Sequence, residues 1–208
     1  MRILKLSREK FDSLIDEASN FLNKGGVIII PTDTVYGFAA DATNSEAVAK
    51  IFKIKQRPEE KSFPVFVGSI DAAEKIAVIN APQIKFLKKI WPGKVTCVFN
   101  VKQKLAAGTF FGNTVAIRIP DNGFVLKLLL RLGKPLAQSS ANISGKSDSL
   151  KIADIIKEFE KRENKPDLII DSGDLADSLP STIVDLTGDE PKILREGAVS
   201  KAAIFALY

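Results

Sequence analysis

The feature that most constrains the fold is an aliphatic run, Val27–Ile30, that ends abruptly at Pro31. Four branched apolar residues in succession are typical of a strand buried on both faces in an α/β sheet. Pro31 cannot donate a ladder hydrogen bond, so the strand is predicted to end there. The polar turn Thr32–Gly37 would then lie at the carboxyl end of the strand, where open α/β sheets usually bind ligands. Turn formation alone also uses Thr and Asp, so this stretch leaves both interpretations open.

Apolar residues recur at helical spacing in several segments that alternate with short apolar runs. This pattern predicts about seven strands interleaved with five or six helices, in one α/β domain over residues 1–208 with a twisted, mixed sheet and flanking helices. The candidate helices are 9–24, 45–55, 71–77, 82–90, 124–132, 150–162 and 201–207, with Pro58 breaking the second. The candidate strands are 27–30, 63–67, 95–101, 114–120, 135–138, 168–171, 182–185 and 192–194.

The chain has no histidine, which removes several kinds of chemistry. Ser-His-Asp and Cys-His mechanisms and His-ligated zinc are excluded. Any catalysis must depend on Lys, Arg, hydroxyls, carboxylates, backbone amides or a metal carried by the substrate, and no resident metal site is predicted. The net charge of +5 gives weak support for an anionic ligand such as a nucleotide, phosphate or RNA.

The single cysteine and the hydropathy pattern indicate a cytoplasmic protein. Cys97 cannot form an internal disulfide, and its apolar surroundings predict a buried strand residue. No apolar run approaches the roughly 20 residues that span a membrane. The N-terminus carries no signal-peptide pattern. We therefore expect no membrane association.

Three basic residues, Lys53, Lys55 and Arg57, crowd the end of the second candidate helix. Positive charge there complements the negative end of the helix dipole, which is a purely structural role. Alternatively, an Arg fork and a Lys point charge would clamp phosphate oxygens. The residues alone leave both roles open.

The run Ser139–Gly145 follows a short apolar strand and supplies three hydroxyls, a carboxamide and a glycine. Such a loop offers donors and approachable backbone amides to a nucleotide, although helix capping would use the same residues. A P-loop is rejected because position 140 is Ser where that motif requires Gly. No dinucleotide-binding glycine fingerprint follows a strand either.

Arg118 interrupts a predicted strand, with Thr114 and Ala116 on its face. Burying an unpaired Arg is costly, so it should meet either a protein carboxylate or a bound one. A second hydroxyl pair, Ser181-Thr182, and an Arg–Gly turn at Arg195 lie near the end of the sheet region. Taken singly, these two features are more often structural.

Seven short motifs, taken in order, resemble those of the YrdC-type threonylcarbamoyl-adenylate synthases over residues 20–200. They are P-T-D-T-V-Y-G, K-Q-R-P, W-P-G-K-V-T, V-A-I-R-I-P, S-S-A-N-I-S-G, P-S-T-I-V-D and L-R-E-G. The resemblance implies a short, single-domain form of the fold with a deep, positively charged cavity. It also implies synthesis of threonylcarbamoyl-AMP and pyrophosphate from L-threonine, bicarbonate or CO2, and ATP, with Mg2+ arriving bound to ATP.

The resemblance also implies partners. The product would supply the threonylcarbamoyl group of N6-threonylcarbamoyladenosine in tRNA. Downstream threonylcarbamoyl-transfer proteins and weak tRNA binding are therefore expected. Two alternatives stay open: a non-catalytic RNA- or tRNA-binding module, and a related carbamoyl transferase acting on carbamoyl phosphate.

Residue roles follow from the same resemblance. The predicted catalytic residues are Lys55 and Arg57, which would hold the ATP phosphates. The rest of the predicted ATP site is Thr114, Ser139, Ser140, Asn142, Ser144 and Arg195. The predicted threonine site is Thr34, Tyr36, Arg118, Ser181 and Thr182. Asp33 has no predicted role beyond the turn, and Phe66, where many members have His, can supply only packing.

Overall fold

The aliphatic run forms the predicted central strand. In a computed structural model of the chain, this strand covers Ile28–Ile30, and each of its residues is fully buried. The structure describes residues 1–58 and 60–208. Pro31 lies just outside the strand, so the polar turn begins where the proline was expected to place it.

The described residues form one ten-stranded mixed sheet. In chain order its strands are β1 (Arg2–Lys5), β2 (Ile28–Ile30), β3 (Gly37–Asp41), β4 (Val65–Phe66), β5 (Val95–Asn100), β6 (Thr114–Arg118), β7 (Leu136–Ser140), β8 (Leu168–Asp171), β9 (Thr182–Asp185) and β10 (Lys192–Arg195). Their spatial order is β1-β8-β2-β3-β7-β4-β6-β5-β9-β10. The β2–β8 and β4–β6 pairs are parallel, whereas β2–β3 and β3–β7 are antiparallel.

Helices flank this sheet on both faces. In chain order they are α1 (Phe11–Asn23), α2 (Ser45–Lys55), α3 (Ile70–Ile76), α4 (Ala81–Ile90), α5 (Gly123–Leu132), α6 (Ile152–Phe159) and α7 (Lys201–Leu207). A 3-10 turn, Arg8–Lys10, precedes α1. The Asn44 side chain accepts from Ala47 N and caps α2, as predicted. No helix of the described residues is long and apolar enough to cross a membrane.

The structure corrects several element predictions. The sheet has ten strands where eight candidate segments were given, because β1 and β3 were missed. Strand β1 is short and mostly exposed, and β3 reads Gly-Phe-Ala-Ala-Asp, without the β-branched residues that mark strands. Helix α2 ends because Gln56 takes a left-handed conformation with φ 52°, two residues before Pro58. The predicted strand 63–67 shortens to β4, and the predicted helix 150–162 to α6.

The two faces of the sheet are covered unequally. One face packs against α2, α3, α4, α6 and α7 and includes the buried Cys97, as predicted. On the other face, α1 and α5 cover residues of β8, β2, β3, β7 and β4. The residues that β6 and β5 direct to this second face, including Ala116, Arg118 and Thr96, instead line a cavity. We call these two parts of the second face the covered half and the open half.

Candidate functional site

The open half forms the floor of a cavity of about 360 Å³. Three arginines reach it from separate places: Arg57 from the segment after α2, Arg118 from β6 and Arg195 from β10. The other polar side chains of its lining are Thr34, Ser62, Thr96, Gln138, Ser139, Ser140, Asp148 and Ser181. Three guanidinium groups face two carboxylates, Asp148 in the lining and Asp33 behind Arg118, so the formal excess is one positive charge, which suits an anionic ligand.

Two other surface depressions do not bring several charged and polar side chains together in this way. One, of about 480 Å³, lies between α1 and α5 and is lined by exposed charged side chains such as Asp12 and Lys127. The other, of about 490 Å³, runs beside α3 and is lined mainly by apolar residues and two lysines. Ligand sites combine concavity with a few convergent polar groups, and the cavity over the open half has both.

Arg118 meets a protein carboxylate, which answers the question left open by its strand position. Its Nη2 lies 2.7 Å from Asp33 Oδ2, and the two side chains are 4% and 7% exposed. Its Nε donates to Gly93 O at 2.8 Å and its Nη1 to Thr34 Oγ1 at 3.3 Å. Burial lowers the pKa of Arg118 and Asp33 opposes that shift. A guanidinium has five N–H donors, so these three contacts leave some N–H groups of Arg118 without a protein acceptor.

The turn after β2 presents Thr34 to the cavity and withdraws Asp33 behind it. Thr32 Oγ1 accepts from the backbone of Thr34 and Val35 at 3.1 and 3.2 Å, which fixes the turn. Asp33 Oδ2 also accepts from Asp121 N at 3.1 Å. Asp33 Oδ1 is buried without a hydrogen-bond partner in the described residues. The sequence left two interpretations of this stretch open, a turn and part of a site. The structure combines them, because Thr32 fixes the turn and Thr34 lines the cavity.

Lys55 anchors the Ser140–Asn142 loop from behind. Its Nζ donates to Ser140 O at 2.6 Å, and to Asn142 O and Oδ1 at 2.9 Å each. Ser140 Oγ donates to the same Oδ1 at 2.7 Å. Lys55 is only 2% exposed, so it supports the loop and does not line the cavity. Burial, with Arg57 nearby, lowers its pKa to about 8.

Arg57 lies at the cavity wall, held by the segment that follows it. Its Nε and Nη2 donate to the backbone oxygens of Lys61 and Ser62 at 3.1 and 3.2 Å. Its Cζ lies 5.2 Å from the centre of the Phe63 ring. Burial lowers its pKa, yet an Arg side chain stays charged near neutral pH. Arg57 thus offers a positioned positive charge to the cavity.

Arg195 and Ser181 close the opposite wall. Arg195 Nη2 donates to Ser181 O at 2.7 Å, and the hydroxyls of Ser181 and Thr96 are 2.9 Å apart. Gly197 permits this close packing, because a Cβ there would overlap Pro180 O and approach the Ser181 backbone. Burial lowers the pKa of Arg195. This wall therefore joins β5, β9 and β10 around two hydroxyls and one guanidinium.

Besides Lys55, five predicted site residues do not line the cavity. Tyr36 OH bonds to Ser172 and Gly173, and burial raises its pKa. Thr182 Oγ1 accepts from Gly197 N and Val199 N, and Thr114 Oγ1 donates to Phe111 O. The others, Asn142 and Ser144, belong to the loop that Lys55 holds. Their direct ligand contacts stay predictions.

Sequence reasoning missed several residues of the site. Thr96, Gln138 and Asp148 line the cavity, and Asp33 orients Arg118 from behind. Thr96 was detectable, since it alternates with buried Val95 and Cys97 on a predicted strand. Phe66 lies with its ring centre 5.6 Å from Arg118 Cζ, so it packs against the guanidinium. Within residues 1–58 and 60–208, no three His, Cys, Asp or Glu side chains group as metal ligands do.

The fold and cavity together define an α/β protein with a site suited to anionic substrates. The chain belongs to the Sua5/YciO/YrdC family, whose model, described as telomere recombination, matches residues 20–197. The family resemblance predicted from the motifs is thereby confirmed.

Named relatives and a solved structure extend this comparison. Threonylcarbamoyl-AMP synthase of Bacillus subtilis is 33% identical over 202 residues, covering 94% of this chain and 57% of the relative. A putative threonylcarbamoyl-AMP synthase of Methanocaldococcus jannaschii is 33% identical, covering 96% and 93%. The crystal structure of P. abyssi Sua5 complexed with L-threonine matches with a TM-score of 0.89 and 31% identity, covering 99% of this chain and 60% of that one. The chain thus spans well under two thirds of some relatives.

Proposed function

We propose that the chain is an L-threonylcarbamoyladenylate synthase. It would convert L-threonine, bicarbonate or CO2, and ATP into threonylcarbamoyl-AMP and pyrophosphate. The observation that carries this proposal is the convergence of Arg57, Arg118 and Arg195 on one open sheet face, beside the hydroxyls of Thr34 and Ser181. Carboxylate and polyphosphate are the anions that such forks recognise best. The names of the family relatives support the same reaction.

In this proposal the cavity has an amino-acid end and a nucleotide end. At the amino-acid end, Arg118 would bind the threonine carboxylate through its remaining N–H donors, with Thr34 and Ser181 beside it. At the nucleotide end, Arg57 and Arg195 would face the phosphates, with Ser139 and Ser140 in support. Lys55 would act mainly by holding the Ser140–Asn142 loop.

The reaction requires no protein nucleophile and no histidine. The threonine amine attacks CO2, a C–N bond forms, and the amine proton passes to solvent to leave a carbamate. A carbamate oxygen then attacks the α-phosphorus of ATP, and the bond to the leaving pyrophosphate breaks. The protein contributes positioning and charge neutralisation, as in other phosphoryl-type transfers. The arginines of the cavity are suited to both tasks.

The remaining substrates and partners belong to the same proposal. Mg2+ would enter as part of the Mg-ATP substrate. The product would pass to threonylcarbamoyl-transfer proteins acting on tRNA, and weak tRNA binding would use the basic surface. We also propose that the protein works in the cytoplasm and that residues 1–208 form a single YrdC-like domain.

The direct test is mass-spectrometric detection of threonylcarbamoyl-AMP after incubating the purified chain with threonine, bicarbonate and Mg-ATP. Pyrophosphate release should depend on threonine and on bicarbonate, and reactions lacking either are the controls. Absence of product across magnesium concentrations, together with salt-sensitive RNA binding, would favour the non-catalytic module instead. Turnover of carbamoyl phosphate without threonine would favour the carbamoyl transferase.

A further inference from the structure

Gln138 lines the cavity with a carboxamide that has no protein partner. The residue lies on β7, and its backbone N donates to Pro64 O at 2.9 Å, which fixes the main chain. Its side chain is 9% exposed and forms part of the cavity lining, with Nε2 lying over Gly37 of β3. Its amide makes no hydrogen bond within residues 1–58 and 60–208, and its polar atoms are open to the cavity, since the buried side-chain atom left without a partner there is Asp33 Oδ1. A bound molecule would satisfy it.

Gly37 keeps the space that this carboxamide occupies. It is a buried residue of β3 without a positive φ, so its backbone does not itself require glycine. A Cβ at position 37 would overlap Gln138 Nε2 and lie 3.1 Å from Ser139 O. The glycine therefore leaves the amide free to adopt its observed position within the cavity wall.

The strand register places Gln138 between Arg118 and Ser140. Leu136 pairs with Phe66, and Phe66 with Arg118, so Arg118 lies in the row on one side of Gln138. Ser140 lies two residues further along β7, in the row on the other side, roughly 7 Å away along the strand. Arg118 of the proposed amino-acid end and Ser140 of the proposed nucleotide end thus lie on opposite sides of Gln138.

The residues between Gln138 and β5 leave room for a ligand. By the same register, Gln138 aligns across the sheet with Pro64, Ala116 and Val98, none of which carries a polar side-chain group. Among these four residues, from β7 to β5, Gln138 alone carries a polar side-chain group. The group that joins threonine to the nucleotide must cross this row.

We propose that the Gln138 carboxamide binds the one-carbon unit of the reaction, first as bicarbonate and then as the carbamate. Between the two, bicarbonate takes up a proton and loses water to give CO2, and the threonine amine attacks this CO2 and releases its proton to solvent. This assignment rests on the proposed function. Nε2 would donate to one oxygen of this anion and hold another oxygen toward the α-phosphorus. A neutral amide orients the oxyanion without neutralising it, so the oxygen stays nucleophilic. Gln138 neither gains nor loses a proton in either step.

The test compares Gln138→Leu and Gln138→Glu with the wild-type chain. Pyrophosphate release is measured against bicarbonate concentration at saturating threonine and Mg-ATP. Loss of a hydrogen bond to a charged ligand should raise the bicarbonate KM about tenfold or more, and the Glu variant should be worse because it repels the anion. The KM values for threonine and ATP should stay within about twofold of wild type.

The control is Gln103→Leu, the same change at an exposed residue outside this cavity, which should leave all three KM values unchanged. Thermal unfolding checks that the variants fold, and Gln138→Ala replaces any that does not. A bicarbonate KM within about twofold of wild type in an active enzyme overturns this assignment alone. A rise confined to the threonine KM also overturns it, since the amide then contacts the amino acid. A wild-type chain that makes no threonylcarbamoyl-AMP overturns the proposed function as well.

Discussion

The covered and open halves belong to the same face of one sheet, yet they carry opposite chemistry. In the covered half, side chains such as Ile28, Ile30 and Leu168 pack against α1 and α5 and are fully buried. In the open half, the equivalent positions hold Arg118 and Thr96, and they line a cavity. Both halves follow the same alternation along their strands. The difference is that no helix packs over the described residues of the open half.

This contrast shows how the fold creates a site without irregular strands. A helix over the open half would bury Arg118 and its neighbours and add the cost of desolvating a charge. Small residues such as Ala116 leave volume between the arginines instead of filling it. The open half therefore gives up hydrophobic burial, and the covered half supplies the apolar packing that supports the sheet.

The largest expected effect is at Arg118, where the two halves meet. Arg118→Met removes the positive partner of buried Asp33 and should lower the free energy of unfolding by about 3–5 kcal/mol. It should also lower kcat/KM for threonine by about 100-fold, because a charge-assisted contact is lost. Urea unfolding measures the first effect and threonine-dependent pyrophosphate release the second.

Two further variants separate stability from function in this experiment. The double variant Arg118→Met with Asp33→Asn removes both charges, so it should regain stability without regaining activity. Leu128→Ala, in the covered half, should cost about 2–5 kcal/mol and leave activity per folded molecule unchanged. Recovery of activity in the double variant would contradict the assignment of Arg118 to the amino-acid end.

A smaller effect is expected at Lys55, whose ammonium is buried under the loop beside the open half. Folding lowers its pKa from 10.5 to about 8, so between these values the unfolded chain binds more protons than the folded one. Stability conferred by this site should therefore rise with pH across this window, by about 1–3 kcal/mol. Below about pH 8 the cost of burying the charge is fully present.

The measurement compares wild type with Lys55→Met in urea at pH 7.5 and pH 10. Subtracting the variant removes the contributions of the other lysines, so the difference reports Lys55 alone. The difference should move in favour of wild type at the higher pH. If it is the same at both pH values, Lys55 keeps its ordinary pKa and is not the buried anchor seen here.

The sequence alone predicted the central strand, the family and most of the polar residues of the cavity, but not which residues line it and which support the lining from behind. Val27–Ile30 and the Asn44 cap carry local signals that tertiary packing did not override. Strand β3 was missed because Gly, Ala and Asp have low strand propensity, and pairing with β2 and β7 decides its conformation.

The partnerships within the site depend on contacts between distant segments. Asp33 and Arg118 are 85 residues apart, and no local pattern indicates that they form a pair. Lys55 was predicted to clamp phosphates, but only the fold shows that its Nζ is enclosed by the backbone of the Ser140–Asn142 loop. No sequence motif pointed to Gln138. Its significance comes from the register of β7 and the space beside Gly37.

The smallest expected effect is on the outer surface of the covered half. Lys127 Nζ lies 3.2 Å from Asp12 Oδ1 across α5 and α1, with the two side chains 58% and 85% exposed. Water and salt screen such a pair, so Lys127→Ala should change the free energy of unfolding by at most about 0.5 kcal/mol. Activity should not change, because the pair lies outside the cavity. Urea unfolding at low and high salt measures this. A loss comparable to that of Arg118→Met would mean that the covered half depends on its surface charges, against the packing role assigned to α1 and α5.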